Sequence, residues 1–162
     1  MKLYLLGSFL IVTFTYCKAQ TSGEQAIRAV MDKQVREWNN GNITAFMETY
    51  AKTDSLMFIG SKGIVYGWDS TLARYKRNYP DKATMGKLRF ELMEIKQLSG
   101  KYYYVVGKFI LERASGNLSG HFDLLFEKIN GNWLIISDHT SWKKPRFLGL
   151  FYKQVYCKTK YL

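Results

Sequence analysis

Residues 120–141 read GHFDLLFEKINGNWLIISDHTS. Two apolar-rich runs flank Asn130-Gly131, a pair that readily takes the positive φ angles a tight hairpin turn requires, and this is the strongest short-range hairpin signal a sequence carries. Working back along the chain, Ser115-Gly116 and Ser99-Gly100 separate further long runs, so four consecutive antiparallel strands are expected after Ala83. If each turn is a two-residue loop, the strands align as cross-strand rows. One row reads Phe90–Phe109–Phe122–His139, flanked by Leu92–Gly107–Leu124–Ser137 and Leu88–Leu111–Gly120–Ser141, with Glu94–Val105–Phe126–Ile135 beyond. Successive side chains of a strand alternate between faces, so these rows share one almost wholly apolar face. The opposite face then carries Glu91–Lys108–Asp123–Asp138 and Arg89–Ile110–His121–Thr140 around an apolar row, Met93–Val106–Leu125–Ile136. Loops of three or five residues would reverse the parity. Gly107 and Gly120 fall on the apolar face, where a strand glycine marks a bend, a bulge or a close approach.

Ahead of the strands, helical periodicity takes over. Ile27, Val30, Met31, Val35 and Trp38 follow the spacing of an amphipathic helix, which Asn39-Asn40-Gly41 ends. Asn42 is a suitable N-cap for a short second helix through Phe46 and Tyr50. Leu56–Gly60 and Ile64–Trp68 read as short strands, and Asp69 or Ser70 caps a third helix over Thr71–Tyr79, stopped by Pro80. Three helices followed by a long antiparallel sheet with one apolar face predict an α+β domain with the helices packed on that face.

The ends of the chain read differently. Met1-Lys2, the apolar run Leu3–Tyr16 and small Ala19 predict a cleavable signal peptide over residues 1–19. The run is shorter than the roughly 20 residues of a membrane-spanning helix. Cleavage would leave Cys157, beyond the domain spanning 20–142, as the one cysteine, hence no internal disulfide in a protein that would be secreted or periplasmic. It would also leave 22 basic against 13 acidic residues, and six of those basic residues lie in 143–162 (KKPRFLGLFYKQVYCKTKYL), which holds no acid. The high charge belongs mostly to this tail, so no nucleic-acid partner is expected. The tail is read as a packing element or loose end, or as a basic aromatic segment making weak contact with an anionic surface. No metal-ligand spacing, phosphate loop or nucleophile elbow is present, and no cofactor is expected.

The opening Trp38-Asn39-Asn40-Gly41-Asn42-Ile43-Thr44-Ala45-Phe46, the strand Phe58-Ile59-Gly60, Gly67-Trp68 and the closing hairpin together resemble the nuclear-transport-factor-2-like superfamily, and more closely its SnoaL-like branch. The resemblance covers residues 24–142 and implies a cone-shaped half-barrel with a pocket on its concave face. It also implies a homodimer through the outer face of the sheet, where the row Met93–Val106–Leu125–Ile136 would supply apolar surface. In ketosteroid isomerase-like members a carboxylate on the first strand is the general base, and a tyrosine helps form the oxyanion hole. Those positions correspond here to Ile59 and, near helix one, Gln34, neither of which does that chemistry. A pocket arginine of the kinase-association relatives falls near Leu124.

On this register the pocket is lined by Trp38, Tyr50, Phe58, Trp68, Tyr75, Phe90, Phe109, Phe122, Leu124, Ser137, His139 and Ser141. His139 is the inward titratable group and thus the candidate catalytic base. The bland alternative is a core histidine bonded to the flanking serines or a helix tyrosine. Asp123 and Asp138 are read as an outward pair facing Lys108. Two functions stay open: a binder of a small apolar or aromatic molecule, and an isomerase, dehydratase or hydrolase using His139.

Overall fold

A computed structural model describes residues 21–142; the expected signal segment and the basic tail lie outside the described residues. Helix α1 (Ser22–Asn39) begins where the Thr21 side chain accepts from the Glu24 backbone N–H at 3.2 Å. It buries Ile27, Met31, Gln34 and Trp38 along one stripe. Gly41, at a φ of +80°, turns the chain into α2 (Ile43–Met47), and Asn42 caps it as expected, accepting from the Ala45 N–H at 3.0 Å. Strands β1 (Met57–Gly60) and β2 (Gly63–Tyr66) form a hairpin, followed by α3 (Trp68–Asn78). The start of α3 departs from expectation. Gly67 precedes it with no side-chain cap, so the helix begins before Asp69 and Ser70. A one-turn helix, α4 (Lys82–Met85), capped by Asp81, adds a fourth helix to the three expected.

Four long strands complete the domain: β3 (Lys87–Gln97), β4 (Tyr102–Glu112), β5 (Leu118–Ile129) and β6 (Asn132–Trp142). The sheet runs β2-β1-β6-β5-β4-β3 and is antiparallel except where β1 lies parallel to β6. It is curved and unclosed, with the helices over its concave face, which is the expected α+β half-barrel. Two side-chain clamps hold α1, one to the sheet and one to α4. Asn39 bonds the backbone of Leu88 through both amide atoms, donating at 3.0 Å and accepting at 2.7 Å. The Trp38 indole N–H donates to the Met85 carbonyl at 3.2 Å.

The register decides what faces inward, and it differs from the expected one in three ways. Leu88↔Leu111 through Leu92↔Gly107 pair as expected, but a bulge at Met93 then places Glu94 opposite Val106. Between β4 and β5 the turn is displaced by one residue, so Gly107 faces Phe122 and Phe109 faces Gly120. That shift moves each pairing by two positions and preserves the faces. The third difference does not. β5 and β6 pair as expected from Ile129↔Asn132 to Phe126↔Ile135, then a bulge leaves Ile136 unpaired and Leu125 faces Ser137. Every residue from Ser137 onward changes face. Asp138 therefore points inward and is buried, while Ser137, His139 and Ser141 turn outward. The reason lies at the β6 edge. Ile135 bonds the chain at Thr49 and Ala51, whereas Ser137–His139 pair with β1, and the extra residue sits where β6 exchanges one neighbour for the other.

The observed inner rows are Phe90–Phe109–Gly120–Trp142, Leu92–Gly107–Phe122–Thr140 and Ile95–Val105–Leu124–Asp138–Phe58. The outer apolar row Met93–Val106–Leu125–Ile136 does not exist as such. Val106 lies between Glu94 and Asp123, and Leu125 between Tyr104 and Ser137. Both inner glycines are sites of close approach. A Cβ on Gly107 would meet the Phe122 ring, and one on Gly120 would meet the Ser141 carbonyl oxygen and the Phe109 ring.

Candidate functional site

The concave face and the helices enclose a cavity of about 600 Å³. Trp38, Tyr50, Phe58 and Tyr75 form its helical wall, and Phe90, Phe109, Phe122 and Leu124 its sheet wall, so these eight expected residues come together. The other four do not line it. Trp68 packs against the core, donating its indole N–H to the Met47 carbonyl at 2.8 Å. Ser137, His139 and Ser141 lie on the outer face because of the Ile136 bulge. There His139 Nδ1 is 2.9 Å from Asp123 Oδ1, with half its side-chain surface exposed. His139 consequently has no access to the cavity, and both the catalytic and the core-histidine readings fail.

Asp138 takes its place. It is 3% exposed, lines the cavity, and is held by two hydroxyl donors: Tyr50 Oη to Oδ2 at 2.7 Å and Thr140 Oγ1 to Oδ1 at 2.7 Å. β6 supplies Asp138 and Thr140 two residues apart on one face, and the turn after α2 supplies Tyr50. Burial raises the Asp138 carboxyl from its ordinary 3.8 to about 6, against the opposing pull of the Thr140 and Tyr50 hydrogen bonds. Tyr50 and Tyr75 are raised well above the usual phenol range, first by burial and then by the Asp138 charge. Both therefore remain protonated donors at any physiological pH. The arrangement presents a carboxyl that is partly ionised near neutrality, fixed against a neutral phenol, in a chamber with largely aromatic and aliphatic walls. Such a group can accept a hydrogen bond, donate one, or exchange a proton with a bound molecule.

Aromatic side chains pack edge to face around the chamber. Trp38 packs edge-on against Phe46 at 5.3 Å and Tyr79 at 4.8 Å, and Tyr75 meets Phe58 at 5.6 Å. Gln34, the one polar residue on the buried stripe of α1, donates to Thr49 Oγ1 at 3.0 Å and also lines the cavity. The helical pattern signals its burial, since it lies three residues after Met31 and four before Trp38. Arg74, Asn78 and Tyr79 line the chamber from α3 and the residue after it, and Lys62 and Arg113 from two turns. Removing the Tyr50 hydroxyl isolates its effect. In Tyr50→Phe the ionised carboxylate loses a donor, so the Asp138 titration is expected above its present value of about 6. An unchanged or lowered value, read by NMR of the side-chain carboxyl carbons, would show that this bond does not favour the ion.

No protein-family model matches the chain, and no curated protein matches it. Solved structures do. An NTF-2-like protein of unknown function from Shewanella oneidensis MR-1 is 41% identical, with a TM-score of 0.71 over 74% of this chain and 98% of that one. A ketosteroid isomerase-like protein from Erwinia carotovora atroseptica SCRI1043 is 19% identical, with a TM-score of 0.64 over 78% and 100%. An NTF2-like protein of unknown function from Pseudomonas putida KT2440 is 17% identical, with a TM-score of 0.61 over 75% and 87%. The last two show a shared fold. The first, with its identity and near-complete coverage, shows kinship: this chain belongs to the NTF2-like family.

Proposed function

We propose that the protein takes up a small, mostly apolar or aromatic molecule in the cone cavity and anchors it on the Asp138–Tyr50 pair. The observation that carries this reading is the single carboxyl group that the described residues place in the lining of a chamber of about 600 Å³ whose deep walls are mostly aromatic and aliphatic. Cavities of several hundred Å³ with apolar walls and a few convergent polar groups suit ligands of this class. A second reading is favoured by the raised carboxyl. With a pKa of about 6, Asp138 is matched to proton transfer near neutral pH. In that reading the carboxylate removes a proton from one carbon of the ligand and returns it to another, with Tyr50 as the neighbouring donor. This is isomerase-type chemistry without net transfer. The general-base role considered for His139 would pass to Asp138.

Native mass spectrometry of the purified protein tests the common element. The wild type is expected to retain a small molecule, and Phe90→Trp, which adds bulk to a half-buried lining position, is expected to exclude it. If the wild type carries nothing and no apolar compound raises its melting temperature, the proposal fails. Asp138→Asn separates the two readings. Retained binding with lost turnover supports the enzyme, whereas a binder loses only the affinity of one hydrogen bond, a few-fold to about tenfold.

A further inference from the structure

Among the described residues, the cavity lining carries three cations that no salt bridge pairs. Lys62 comes from the β1–β2 turn, Arg74 from α3 and Arg113 from just after β4, so three separate parts of the chain bring cations to one cavity. Arg113 is held in place by its own turn, donating from Nε to the Gly116 carbonyl at 3.1 Å and from its backbone N–H to Asn117 Oδ1 at 3.2 Å. The Arg74 guanidinium lies over the Phe58 ring at 4.9 Å, which places it on the aromatic wall and not out in solvent. Both arginines bear on the same tyrosine: each draws the Tyr79 hydroxyl pKa down, against the rise that burial imposes. Among the described residues neither arginine nor Lys62 makes a salt bridge, although Arg28, Arg36, Arg89, Lys33, Lys101 and Lys108 all do.

Half-buried guanidinium groups beside aromatic rings lose part of their hydration, and an absent counter-ion leaves that loss uncompensated. The one acid that lines the cavity does not supply it, since Asp138 is occupied by Tyr50 and Thr140. At a partly desolvated mouth an added anion is attracted more strongly than at an open surface. Arg in particular suits a planar carboxylate, which its fork of N–H donors can hold at two points.

Resting on the proposed use of the cavity, and narrowing its ligand, we propose that the cavity binds an organic acid: an apolar aryl or alkyl body inside, with its carboxylate at Arg74 and Arg113. The charge remains at the mouth, since an anion pushed against Asp138 would meet a second negative group as that carboxyl ionises. Neutral molecules of the same shape fit the walls but leave the arginines unanswered. Cations are disfavoured at the entrance.

Isothermal titration with a matched panel of aryl and medium-chain alkyl carboxylic acids and their primary amides tests this. In the wild type at low salt the acid of a pair is expected to bind at least tenfold more tightly than its amide, the worth of about one charge-assisted hydrogen bond. The margin should shrink as salt screens the rim. In Arg74→Gln/Arg113→Gln the acid should fall to the affinity of the amide while the amide is unchanged, and retained amide binding shows that the variant is folded. Equal affinity of acid and amide in the wild type overturns this inference and leaves the cavity reading standing. Binding of neither overturns both. A preference for acids that survives in the double variant assigns the anion to another site and also overturns the inference.

Discussion

Asp138→Asn is expected to stabilise the folded protein by about 2–3 kcal/mol at pH 8 and to leave it nearly unchanged at pH 4. The folded-state carboxyl titrates at about 6 against an ordinary 3.8, a gap worth about 3 kcal/mol. The folded protein holds this proton more tightly than the unfolded chain does. The associated stability is therefore fully present below about pH 4 and is lost as the pH rises through 6, where a buried group must ionise. Asparagine never ionises, so it escapes the loss. Its carbonyl can accept from Tyr50, and its amide can donate to Thr140 Oγ1, so neither hydroxyl is left unpaired. Denaturant melts of the two proteins at both pH values measure the difference. A variant that is less stable at pH 8 would mean that the carboxylate stabilises the fold as an ion. A site that costs its own fold stability at working pH is the pattern expected where a group is kept for function.

Gly120→Ala is the second large effect, a loss of about 3 kcal/mol or failure to fold. A methyl group there would run into the Ser141 carbonyl oxygen as well as the Phe109 ring. Backbone cannot rotate away as a side chain can, so the end of β6 must leave β5, and overpacking penalties for rigid neighbours reach or exceed about 3 kcal/mol. Gly107 offers the contrast. The first obstacle to its methyl is the Phe122 ring, with the Glu91 carbonyl oxygen at 3.0 Å. Phe122→Leu should recover part of the loss in Gly107→Ala, whereas Phe109→Leu should recover little in Gly120→Ala. A double-mutant cycle gives the two coupling energies. Equal recovery at both glycines would show that the strand backbone at Ser141 yields more readily than its position implies.

Much of this architecture was legible because it follows from local rules. Asn42 caps α2, Asn130-Gly131 forms the last hairpin, with Asn130 at a φ of +49° and Gly131 at +84°, and glycines mark the crowded points of the inner face. The displaced β4–β5 turn did no harm because its shift was even. The site was misread at one residue. Ile136 continues an apolar run, Trp133 to Ile136, in which nothing local distinguishes a regular strand from a bulged one. The bulge answers to partners distant in sequence, Thr49–Ala51 on one side and β1 on the other. Neighbouring Asp138 and His139 then exchanged faces, so the chemistry was assigned to the wrong member of an adjacent pair. The alternation Asp138-Thr140-Trp142 against Phe58 was the available clue, but it becomes readable only when β1 is known to run parallel to β6.

Carbon-13 NMR of the aspartate side-chain carboxyls, followed from pH 3 to 9 in the wild type and in Asp138→Asn, measures most directly whether the bulge turns Asp138 into the cavity. One wild-type resonance is expected to titrate at about 6 and to be missing from the variant. If all aspartates titrate in the ordinary range near 4, Asp138 faces solvent, the strand is regular at Ile136, and the site described here is wrong.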